Sequence, residues 1–451
     1  MKSAIVLAAG KGTRMKSSLC KVMHPVLNKP MIGHIVSVLK AAQVDRIVVV
    51  VGHGAESVKE YLKDGVEYAL QEPQLGTGHA VMQANALENE DGDTIVLCGD
   101  GPCIQKETIL KAFEANQDHA CTVLTSVLPS GGNYGRIVRN ADGMVEKIVE
   151  AKDCSIDELK INEINTGIFC FKTKKLFEGL KEITTNNAQN EYYLTDLVEI
   201  FNRKHEAVNA LIVDDADETM GVNDRIDLAK ANAWLKRHIN HKHMLNGVTL
   251  FDPETTYIDS DVEIDSDTVI YPNVYLQGNT KIGKNVTILP GTVLINAVIE
   301  DGAMIDSSKI EDSKIGEDTT IGPMAHIRNN TEVGSHCRIG NFVELKNSKF
   351  GNYSKCAHLT YIGDSDVGQH VNFGCGVVTV NYDGKNKYRT VVKDGAFIGS
   401  NCNLIAPVTI GENALLAAGS TITASVEDGD MGIARSRQSI KKGYGTEYKN
   451  K

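Results

Sequence analysis

The sequence predicts an α/β domain with a mostly parallel sheet, followed by a parallel β-helix of hexapeptide repeats. Three observations predict this architecture. Short β-branched runs alternate with amphipathic segments up to about residue 223, as strands and helices do in α/β domains. From Thr256 onward, aliphatic residues recur at every sixth position, which is the signature of a solenoid built from stacked coils. The chain has 451 residues, a length sufficient for roughly two to four domains.

Residues 1–223 form the predicted α/β domain. Its strands are near-continuously apolar, so we expect helices to cover both faces of the sheet. Sheets of this kind bind ligands at the carboxyl ends of their strands. The predicted strands are Ala4–Ala8, Arg46–Val51, Val66–Leu70, Thr94–Cys98 and Thr122–Val127, and the amphipathic segments between the earlier ones include Met31–Ala42 and Ala55–Lys63.

A single helix is predicted over residues 224–247, between the two domains. Apolar residues recur along one face at helical spacing, and the only tryptophan of the chain, Trp234, lies on that face. Three histidines in the same stretch, His238, His241 and His243, could form a metal site. However, His243 points away from the other two, so a solvated helix surface is the preferred interpretation.

Residues 248–451 form the predicted β-helix. Three six-residue faces make one coil, which gives about ten coils, and each coil buries its apolar side chains only when neighbouring coils stack on it. The repeat is interrupted at Asn381–Arg389, which is predicted to form a loop that leaves the solenoid. The repeating positions are Ile258, Ile264, Ile270, Leu276, Ile282, Ile288 and Leu294, then Ile315, Ile321, Ile327, Val333, Ile339 and Leu345, then Val392, Ile398, Leu404, Ile410, Leu416 and Ile422.

The composition argues against several classes of protein. The 47 Lys and Arg against 58 Asp and Glu give a net charge of −11, so no nucleic-acid partner is expected, because such binding depends on many contacts between basic side chains and phosphates. No apolar run reaches the roughly 18–20 residues that cross a bilayer, so no membrane insertion is expected. Ten cysteines without a Cys-x-x-Cys pair indicate reduced thiols in a cytoplasmic protein rather than a disulfide framework or a zinc site.

A glycine-rich loop follows the first predicted strand. Gly10 and Gly12 let the backbone approach a polyphosphate, so that its N–H groups can donate to phosphate oxygens. Arg14 and Lys21 add positive charge. The loop lacks the Gly-Lys-Ser/Thr ending of a Walker A sequence and the spacing of a dinucleotide-binding loop. By itself, the loop is also compatible with a tight turn.

Together with the motifs Gln74–His79, Gly99-Asp100, Tyr134–Ile137 and Gly221–Arg225, this loop resembles the sugar-nucleotide pyrophosphorylase family. Over nearly its full length, the chain resembles the family of bifunctional N-acetylglucosamine-1-phosphate uridylyltransferase/glucosamine-1-phosphate N-acetyltransferase enzymes. The resemblance implies a Rossmann-like nucleotidyltransferase domain followed by a left-handed parallel β-helix. It also implies a homotrimer and Mg²⁺ as the cofactor.

The resemblance implies the residues of a uridylyl-transfer site. Arg14 and Lys21 are the implied catalytic residues, and Asp100 and Asn223 are the implied Mg²⁺ ligands. The implied reaction of UTP with N-acetylglucosamine-1-phosphate is an in-line displacement, which needs alignment and charge neutralisation rather than a general base. The residues implied to bind UTP and UDP-N-acetylglucosamine are Leu7, Ala8, Ala9, Gly10, Lys21, Gln71, Gly76, Thr77, Gly99, Gly135, Glu150, Asn165 and Asn223.

Three residues depart from the family pattern near this site. Cys20 stands where the family usually has proline, which predicts a less rigid turn before Lys21. Cys98 replaces an aromatic residue, and Gly101 replaces a larger apolar residue. None of the three removes a charged group or a metal ligand, so the reaction class is expected to be unchanged.

The β-helix carries polar residues that a hexapeptide repeat does not require, and the resemblance implies that they transfer acetyl from acetyl-CoA to the amine of glucosamine-1-phosphate. His358 is the implied catalytic base, because the attacking amine must lose a proton near neutral pH, and Glu344 is expected to orient it. Cys375 replaces an alanine beside the acetyl group, which predicts a narrower pocket that is sensitive to thiol reagents; a small apolar filler is the simpler interpretation. The implied ligands are Arg328, Lys346, Tyr361 and Asn372 for glucosamine-1-phosphate, and Cys375, Asn381, Tyr382, Ser400, Ala418 and Arg435 for acetyl-CoA.

Two other functions stay open at this point. A single-function sugar-1-phosphate nucleotidyltransferase would use the β-helix only as a structural or regulatory part, but the polar cluster around His358 argues against it. An interaction subunit built from the same two folds, like the nucleotide-exchange subunits of translation initiation, would be expected to lose Arg14, Asp100 and Asn223. The preferred prediction is a cytoplasmic bifunctional enzyme of UDP-N-acetylglucosamine biosynthesis whose partners are small molecules.

Overall fold

The chain divides into two compact units, Met1–Leu235 and Lys236–Lys451. The computed structural model describes residues 1–449, so the last two residues of the predicted second domain lie outside the described part. The boundary between the units falls inside one helix, Arg225–Leu245, which contributes to both. The predicted division into 1–223, 224–247 and 248–451 stays a proposal.

A nine-stranded sheet forms the centre of the first unit. Neighbouring main strands pair in parallel, except that the strand Glu163–Lys172 is antiparallel to its two neighbours, Asp93–Cys98 and Cys121–Val127. The mostly parallel sheet is confirmed. The reversed strand, Glu163–Lys172, was not among the predicted strands, and apolar periodicity carries no strand direction. The order across the sheet is β7-β5-β6-β4-β1-β2-β3. These strands are β1 (Lys2–Ala8), β2 (Arg46–Val51), β3 (Glu67–Leu70), β4 (Asp93–Cys98), β5 (Cys121–Val127), β6 (Glu163–Lys172) and β7 (Val208–Ile212).

Shorter elements complete the first unit. Strands Arg136–Arg139 and Val145–Val149 form a hairpin that joins the sheet at β6, and Pro25–Val26 pairs with Lys29–Pro30. The helices are Met31–Ala41, Ala55–Leu62, Thr77–Met82, Lys106–Ala115, Thr173–Leu180 and Asp196–Arg203, and the 3₁₀ turns are Thr13–Met15, Lys21–Met23, Lys63–Gly65, Asn85–Leu87, Glu158–Lys160 and Ala216–Thr219.

Two apolar cores cover the two faces of this sheet. Successive residues of β1 point to opposite faces, so Ile5 belongs to one core while Ala4 and Val6 belong to the other. The strand centres are therefore buried on both sides, and only their ends are free to meet a ligand. At the carboxyl edge, the Gly99 N–H donates to the carbonyl of Leu7 (2.8 Å). This bond places the loop after β4 beside the glycine-rich loop after β1.

The second unit is a parallel β-helix with three sheets of 11, 10 and 9 strands, and the predicted fold class is confirmed. The first sheet contains Thr249–Leu250, Val269–Ile270, Thr287–Ile288, Met304–Ile305, Thr320–Ile321, Arg338–Asn341, Lys355–His358, Asn372–Phe373, Phe397–Ile398, Leu415–Leu416 and Met431–Gly432. The second contains Tyr257–Ile258, Tyr275–Gln277, Val293–Ile295, Lys309–Glu311, His326–Arg328, Glu344–Lys346, Tyr361–Gly363, Val378–Val380, Asn403–Ile405 and Thr421–Ile422. The third contains Glu263–Ile264, Lys281–Ile282, Val298–Ile299, Lys314–Ile315, Glu332–Val333, Lys349–Phe350, Ser365–Val367, Thr390–Val392 and Val408–Ile410, and a helix, Tyr444–Lys449, follows the solenoid.

The β-helix stacks like residues on like, also where the six-residue spacing slips between Ile288 and Ile321. Ile270, Ile288, Ile305, Ile321 and Ile339 follow one another in register on successive coils, and all five are fully buried. The three inner isoleucines thus have the same side chain above and below, and an isolated coil would lack these contacts. The loop predicted at Asn381–Arg389 lies between the strands Val378–Val380 and Thr390–Val392.

The helix Arg225–Leu245 is anchored differently at its two ends. In the first unit, Trp234 Nε1 donates to Asp215 (2.9 Å); in the second, Asn240 Nδ2 donates to the carbonyl of Pro253 (2.8 Å). His243 is buried, and this burial lowers its pKa to about 4. The expected solvated surface is therefore wrong for His243, because this turn of the helix faces the interior. Among residues 1–449 no His, Cys, Asp and Glu side chains cluster as metal ligands, and no helix is long and apolar enough to span a bilayer.

Candidate functional sites

The glycine-rich loop and the end of β4 enclose a cavity of about 220 Å³. Gly12 has a φ of +61°, and a Cβ at this position would stand 2.5 Å from Lys21 Cβ. Only glycine therefore fits here, and its absence of a side chain lets Lys21 lie against the loop. The cavity is lined by Leu7, Ala8, Gly10, Gly12, Thr13, Arg14, Lys21, Val22, Cys98, Asp100 and Asn223.

Four polar side chains converge at one end of this cavity. Lys21 Nζ donates to the Asp100 carboxylate and to Asn223 Oδ1, the latter at 3.1 Å. Arg14 donates to the same Asn223 oxygen (2.9 Å). The Val222 N–H in turn donates to the Asp100 carbonyl (2.9 Å), which holds the two loops together. The structure thus brings both implied metal ligands and both implied catalytic residues into one cluster, although they span more than 200 residues of sequence.

Gln71 lies at the other side of the loop after β1. Its side chain is buried, and Nε2 donates to the carbonyl of Gly76 (3.1 Å). Gly76 has a φ of +109°, and a Cβ there would meet the backbone of Tyr192, so the close approach of the two segments requires glycine. Thr77 Oγ1 accepts from the Leu194 N–H (3.1 Å). These contacts fix the segment implied to read the base.

The residues implied to bind the sugar also lie together. The Asn165 N–H donates to the carbonyl of Gly135 (2.9 Å), and Asn165 Oδ1 accepts from the Gly167 N–H (2.9 Å). The Glu150 carboxylate lies beside Gly135, since a Cβ on that glycine would be 3.5 Å from Glu150 Oε2. Burial raises the pKa of Glu150 more than the hydrogen bond from Thr195 lowers it. The structure therefore brings Gly135, Glu150 and Asn165 close together.

The turn at Cys20 retains the geometry that proline would impose. Its φ is −54°, within the range that a proline ring fixes. The Cys20 thiol donates to the carbonyl of His53 (3.4 Å) and is buried. The residue thus keeps the backbone direction that leads into Lys21.

His358 ends a strand at a corner of the β-helix, and its side chain is exposed in the single chain. Backbone hydrogen bonds connect the same corner in successive coils: Gly376 to Leu359 (3.0 Å), Asn401 to Cys375 (2.7 Å) and Gly419 to Ser400 (2.8 Å). Consecutive coils are therefore stacked about 4.8 Å apart at this corner. The residues that they place in one surface column are His358, Cys375, Ser400 and Ala418.

Arg435 extends this column beyond the last complete coil. It is exposed, and its Cδ lies 4.0 Å from where a Cβ on Gly419 would stand. The side chain of Arg435 therefore passes Gly419, the residue after Ala418, and its guanidinium is a cation near the end of the column.

The implied sugar-phosphate residues lie mainly on a second face. Arg328 and Lys346 are in register on adjacent coils, and Glu344 is in register with Tyr361. Arg328 Nε donates to Glu344 Oε1 (3.0 Å). Glu344 therefore binds Arg328, and the expected orientation of His358 by Glu344 stays a prediction. Asn372 lies on the first sheet instead, three residues before Cys375.

The loop after residue 380 is fixed by a buried carboxylate, Asp364. Asn381 Nδ2 and Asn347 Nδ2 both donate to it, the latter at 2.5 Å, and Lys346 Nζ lies 3.7 Å away. Burial acts to raise the pKa of Asp364, but these hydrogen bonds and the charge of Lys346 outweigh it and the pKa is lowered. Tyr382, next in the loop, is 55% exposed. One carboxylate therefore positions residues implied to bind both acetyl-transfer substrates.

Comparison with known proteins identifies both halves. Residues 3–235 match the nucleotidyl transferase family, and residues 261–296, 312–347 and 389–424 match the bacterial transferase hexapeptide (six repeats) family. Bifunctional protein GlmU of Shouchella clausii is 51% identical over 444 residues, which is 98% of each chain. GlmU of Brevibacillus brevis is 50% identical over 99% of this chain and 98% of its own, and that of Exiguobacterium sibiricum is 52% identical over 98% and 99%.

The chain belongs to the GlmU family.

Membership of the GlmU family confirms the predicted bifunctional transferase. The first unit is the nucleotidyl transferase and the β-helix is the hexapeptide transferase. The alternative of a single-function nucleotidyltransferase is wrong, because the relatives are bifunctional along the same length. The alternative of an interaction subunit is wrong for the same reason.

Sequence reasoning missed several residues that organise these two GlmU-family sites. Gln74 Nε2 donates to the carbonyl of Ala9, and so connects the segment of Gly76 and Thr77 to the glycine-rich loop. Thr195 donates to Glu150 (3.3 Å). Asp364 was the most informative omission. In the sequence, the only sign of its role was a carboxylate next to Gly363. In the structure, Asp364 lies at a coil corner with a φ of +48°.

Replacing Asp364 by alanine is expected to destabilise the β-helix of this GlmU-family chain by about 3 kcal/mol, because hydrogen bonds to a buried charge are lost and their donors stay buried. The pKa of Asp364 is lowered in the folded state. Its contribution is therefore complete above the ordinary carboxyl pKa near 4 and is lost as the pH falls through the lowered value. Urea unfolding followed by circular dichroism at several pH values measures both effects.

The matched control is Asp366→Ala. Asp366 pairs with Arg389 on the surface, and both side chains are 44% exposed, so a loss of about 0–1 kcal/mol is expected. Equal losses in the two variants would contradict the role given to Asp364.

Proposed function

We propose that this enzyme acetylates glucosamine-1-phosphate with acetyl-CoA and then joins the product to the uridylyl group of UTP, which yields UDP-N-acetylglucosamine and pyrophosphate. The observation that carries the proposal is the convergence of Arg14, Lys21, Asp100 and Asn223 beside the glycine-rich loop. Two cations and two oxygen ligands at the mouth of a backbone cradle suit a triphosphate. The expected partners are small molecules, in the cytoplasm.

In uridylyl transfer, the phosphate of N-acetylglucosamine-1-phosphate attacks the α-phosphorus of UTP and pyrophosphate leaves. The nucleophile is already an anion, so no side chain has to remove a proton. The enzyme must instead align two anions that repel each other. Lys21 lies where it can neutralise the reacting phosphate, and Arg14 lies on the outer side, where the pyrophosphate departs.

Asp100 and Asn223 fit a magnesium ion. Both present an oxygen to the same cation, the Lys21 ammonium, so their oxygens face one point. Mg²⁺ is usually bound by one or two carboxylates with substrate phosphates and waters. When bound, it would supply charge that offsets the phosphates.

The remaining residues orient the two substrates. Leu7, Ala8, Ala9 and Gly10 offer backbone groups to the nucleotide, while Gln71, Gly76 and Thr77 form the wall for uracil and ribose. Gly99 keeps the end of β4 close to β1. The sugar occupies the space between Gly135, Glu150 and Asn165, whose polar atoms hold its hydroxyls and acyl amide.

Acetyl transfer takes place along the corner column of the β-helix. His358 accepts the proton of the sugar amine as the amine attacks the thioester carbonyl, and Ser400 lies on a following coil, where it can donate to the developing oxyanion. Arg328 and Lys346 bind the phosphate of the sugar, and Tyr361 and Asn372 bind its hydroxyls. The acetyl-CoA chain runs past Cys375, Asn381, Tyr382 and Ala418 to Arg435.

The column is open on the surface of a single chain, since His358 and Ala418 are exposed. An acyl-transfer site needs water excluded from the thioester. A homotrimer in which a neighbouring subunit covers this corner would complete the acetyl-CoA site.

Alkylation of Cys375 is expected to abolish most acetyl transfer and leave uridylyl transfer unchanged, because the added group would fill the column between His358 and Ser400. Three of the ten cysteines are half-buried: Cys98, Cys154 and Cys375. Burial raises the pKa of Cys98 to about 12 and also raises that of Cys154, so these thiols stay protonated and react slowly. Treatment with N-ethylmaleimide, with the modified residue located by mass spectrometry, measures the effect.

Cys375→Ala is the control, and should keep acetyl transfer after the same treatment. Unchanged acetylation after complete alkylation of Cys375 would show that the thiol only fills space.

The function itself is tested by two assays on one preparation. Pyrophosphate release from UTP requires N-acetylglucosamine-1-phosphate, and CoA release from acetyl-CoA requires glucosamine-1-phosphate. Absence of either activity from the folded protein would contradict the corresponding half of the proposal.

A further inference from the structure

A second cavity, of about 120 Å³, adjoins the cavity of about 220 Å³ beside the glycine-rich loop. We call the latter the phosphate cradle. It shares two wall residues with the cradle, Cys98 and Asp100. We call it the Gly101 cavity. Its walls are Leu97, Cys98, Asp100, Gly101, Ile104, Tyr134, Thr166, Ile168, Glu218, Thr219 and Gly221.

Gly101 lines this cavity and contributes no side chain to it. A Cβ on Gly101 would meet nothing closer than the Cys98 carbonyl at 3.8 Å and the Met220 carbonyl at 3.9 Å. These are ordinary contact distances, and Gly101 does not have the positive φ that demands glycine. Neither the backbone nor the neighbours therefore require a glycine at this position. The absence of a side chain at Gly101 leaves space in the cavity.

The walls suit an apolar guest. Leu97, Ile104 and Ile168 are buried aliphatic residues. The Glu218 carboxylate is already engaged, since it accepts from the Gln105 N–H (3.0 Å). An apolar cavity of roughly 150 Å³ is large enough to hold benzene, so 120 Å³ is enough for a chain of a few carbons.

The position of the cavity points to the substrate group that enters it. Tyr134 directly precedes Gly135, and Thr166 directly follows Asn165, so this part of the cavity wall is joined along the chain to the residues assigned to the sugar. On its other side lie Cys98 and Asp100 of the phosphate cradle. A sugar-1-phosphate that reaches from this wall to the cradle passes the mouth of the cavity.

We propose that the Gly101 cavity receives the end of the acyl group on the sugar nitrogen, so that the uridylyl-transfer site accepts N-acylglucosamine-1-phosphates with three- and four-carbon acyl chains as well as the acetyl compound. This inference rests on the proposed function of that site. Gly101 is then a residue that determines acyl-chain specificity, and it takes no part in the chemical step.

The test compares N-acetyl-, N-propanoyl- and N-butanoylglucosamine-1-phosphate as substrates with UTP, by the kcat/KM for pyrophosphate release. The unmodified enzyme is expected to use all three within about threefold. Gly101→Val should leave the acetyl compound within about twofold and lower kcat/KM for the butanoyl compound at least about 30-fold, since a pocket contact of one or two methylenes changes discrimination by roughly 10–200-fold. Gly101→Ala should give an intermediate loss.

A complementary variant, Ile104→Val, enlarges the same cavity by one methylene and should favour the butanoyl compound. CoA release by the β-helix, measured in every variant, verifies that the protein is folded. If the enzyme fails to use the acetyl compound, the proposed function is wrong. If it uses that compound but discriminates against longer chains equally in the unmodified enzyme and in Gly101→Val, the proposed function stands and the role of the Gly101 cavity is overturned.

Discussion

Replacing Arg14 by alanine is expected to lower kcat/KM for pyrophosphate release by about 10²- to 10³-fold, the usual cost of removing one preorganised group that stabilises transition-state charge. Arg14 donates to Asn223 Oδ1 (2.9 Å) at the edge of the cavity that holds Lys21 and Asp100. The proposed role of Arg14 is to stabilise the departing pyrophosphate, so the loss should fall mainly on kcat. Steady-state kinetics with UTP and N-acetylglucosamine-1-phosphate measure the split between kcat and KM.

Lys11→Ala is the matched control for Arg14→Ala. Lys11 is an exposed cation of the same loop that does not line the cavity, so its removal should change kcat/KM less than about threefold through long-range attraction alone. CoA release by the β-helix should be unchanged in both variants. A similar loss of kcat/KM in Lys11→Ala and Arg14→Ala would show that Arg14 acts only through the overall positive charge of the loop.

Replacing His358 by alanine is expected to lower the rate of acetyl transfer by about 10²- to 10⁴-fold, the usual contribution of a positioned general base. The imidazole is exposed at the corner column, one coil before Cys375 and two coils before Ser400. A free amine must form before it attacks the thioester, so the loss should shrink as the pH rises and bulk hydroxide takes over the role of base. Release of CoA from acetyl-CoA and glucosamine-1-phosphate between pH 6 and about 9.5 measures this dependence.

His370→Ala is the control for this variant. His370 is also exposed, and its ring stacks on Tyr353 at 4.9 Å, away from the column of His358, so only a small effect is expected. Pyrophosphate release should be preserved in both variants. If Arg14→Ala and His358→Ala each removed both activities from folded protein, the two sites would not be independent.

The fold was largely predictable because both periodicities are local. The aliphatic residue at every sixth position, as in Ile270 and Ile288, reports directly which side chains stack in the core. The strand β6 was not among the predicted strands, and its direction was not predictable, because the apolar run at Phe169 and Phe171 is the same in either direction. The buried place of His243 was missed for a related reason: helical spacing shows which residues share a face, but not which element covers that face.

The candidate sites divide in the same way. Arg14, Lys21 and His358 could be named from motifs, since the chemistry requires those residue types. The structure added the partners that hold them, such as Asn223 for Arg14 and Asp364 for Lys346. Arg14 and Asn223 are 209 residues apart, so no local pattern records that pair, whereas Asp364 lies one coil after Lys346 and only its side-chain contacts were beyond prediction. The Gly101 cavity was also beyond prediction, because an empty volume depends on every residue around it.

Because the coils stack in register, the length of the β-helix can change only by whole coils. One complete coil could be removed between Ile288 and Ile339, and the isoleucines above and below would meet each other in the same register. Such a deletion would move the column of His358 by one step of about 4.8 Å along the axis without altering any contact inside it. The number of early coils therefore sets the distance between the acetyl-transfer site and the start of the solenoid. This distance can change only in steps of one coil, by insertion or deletion of a complete coil.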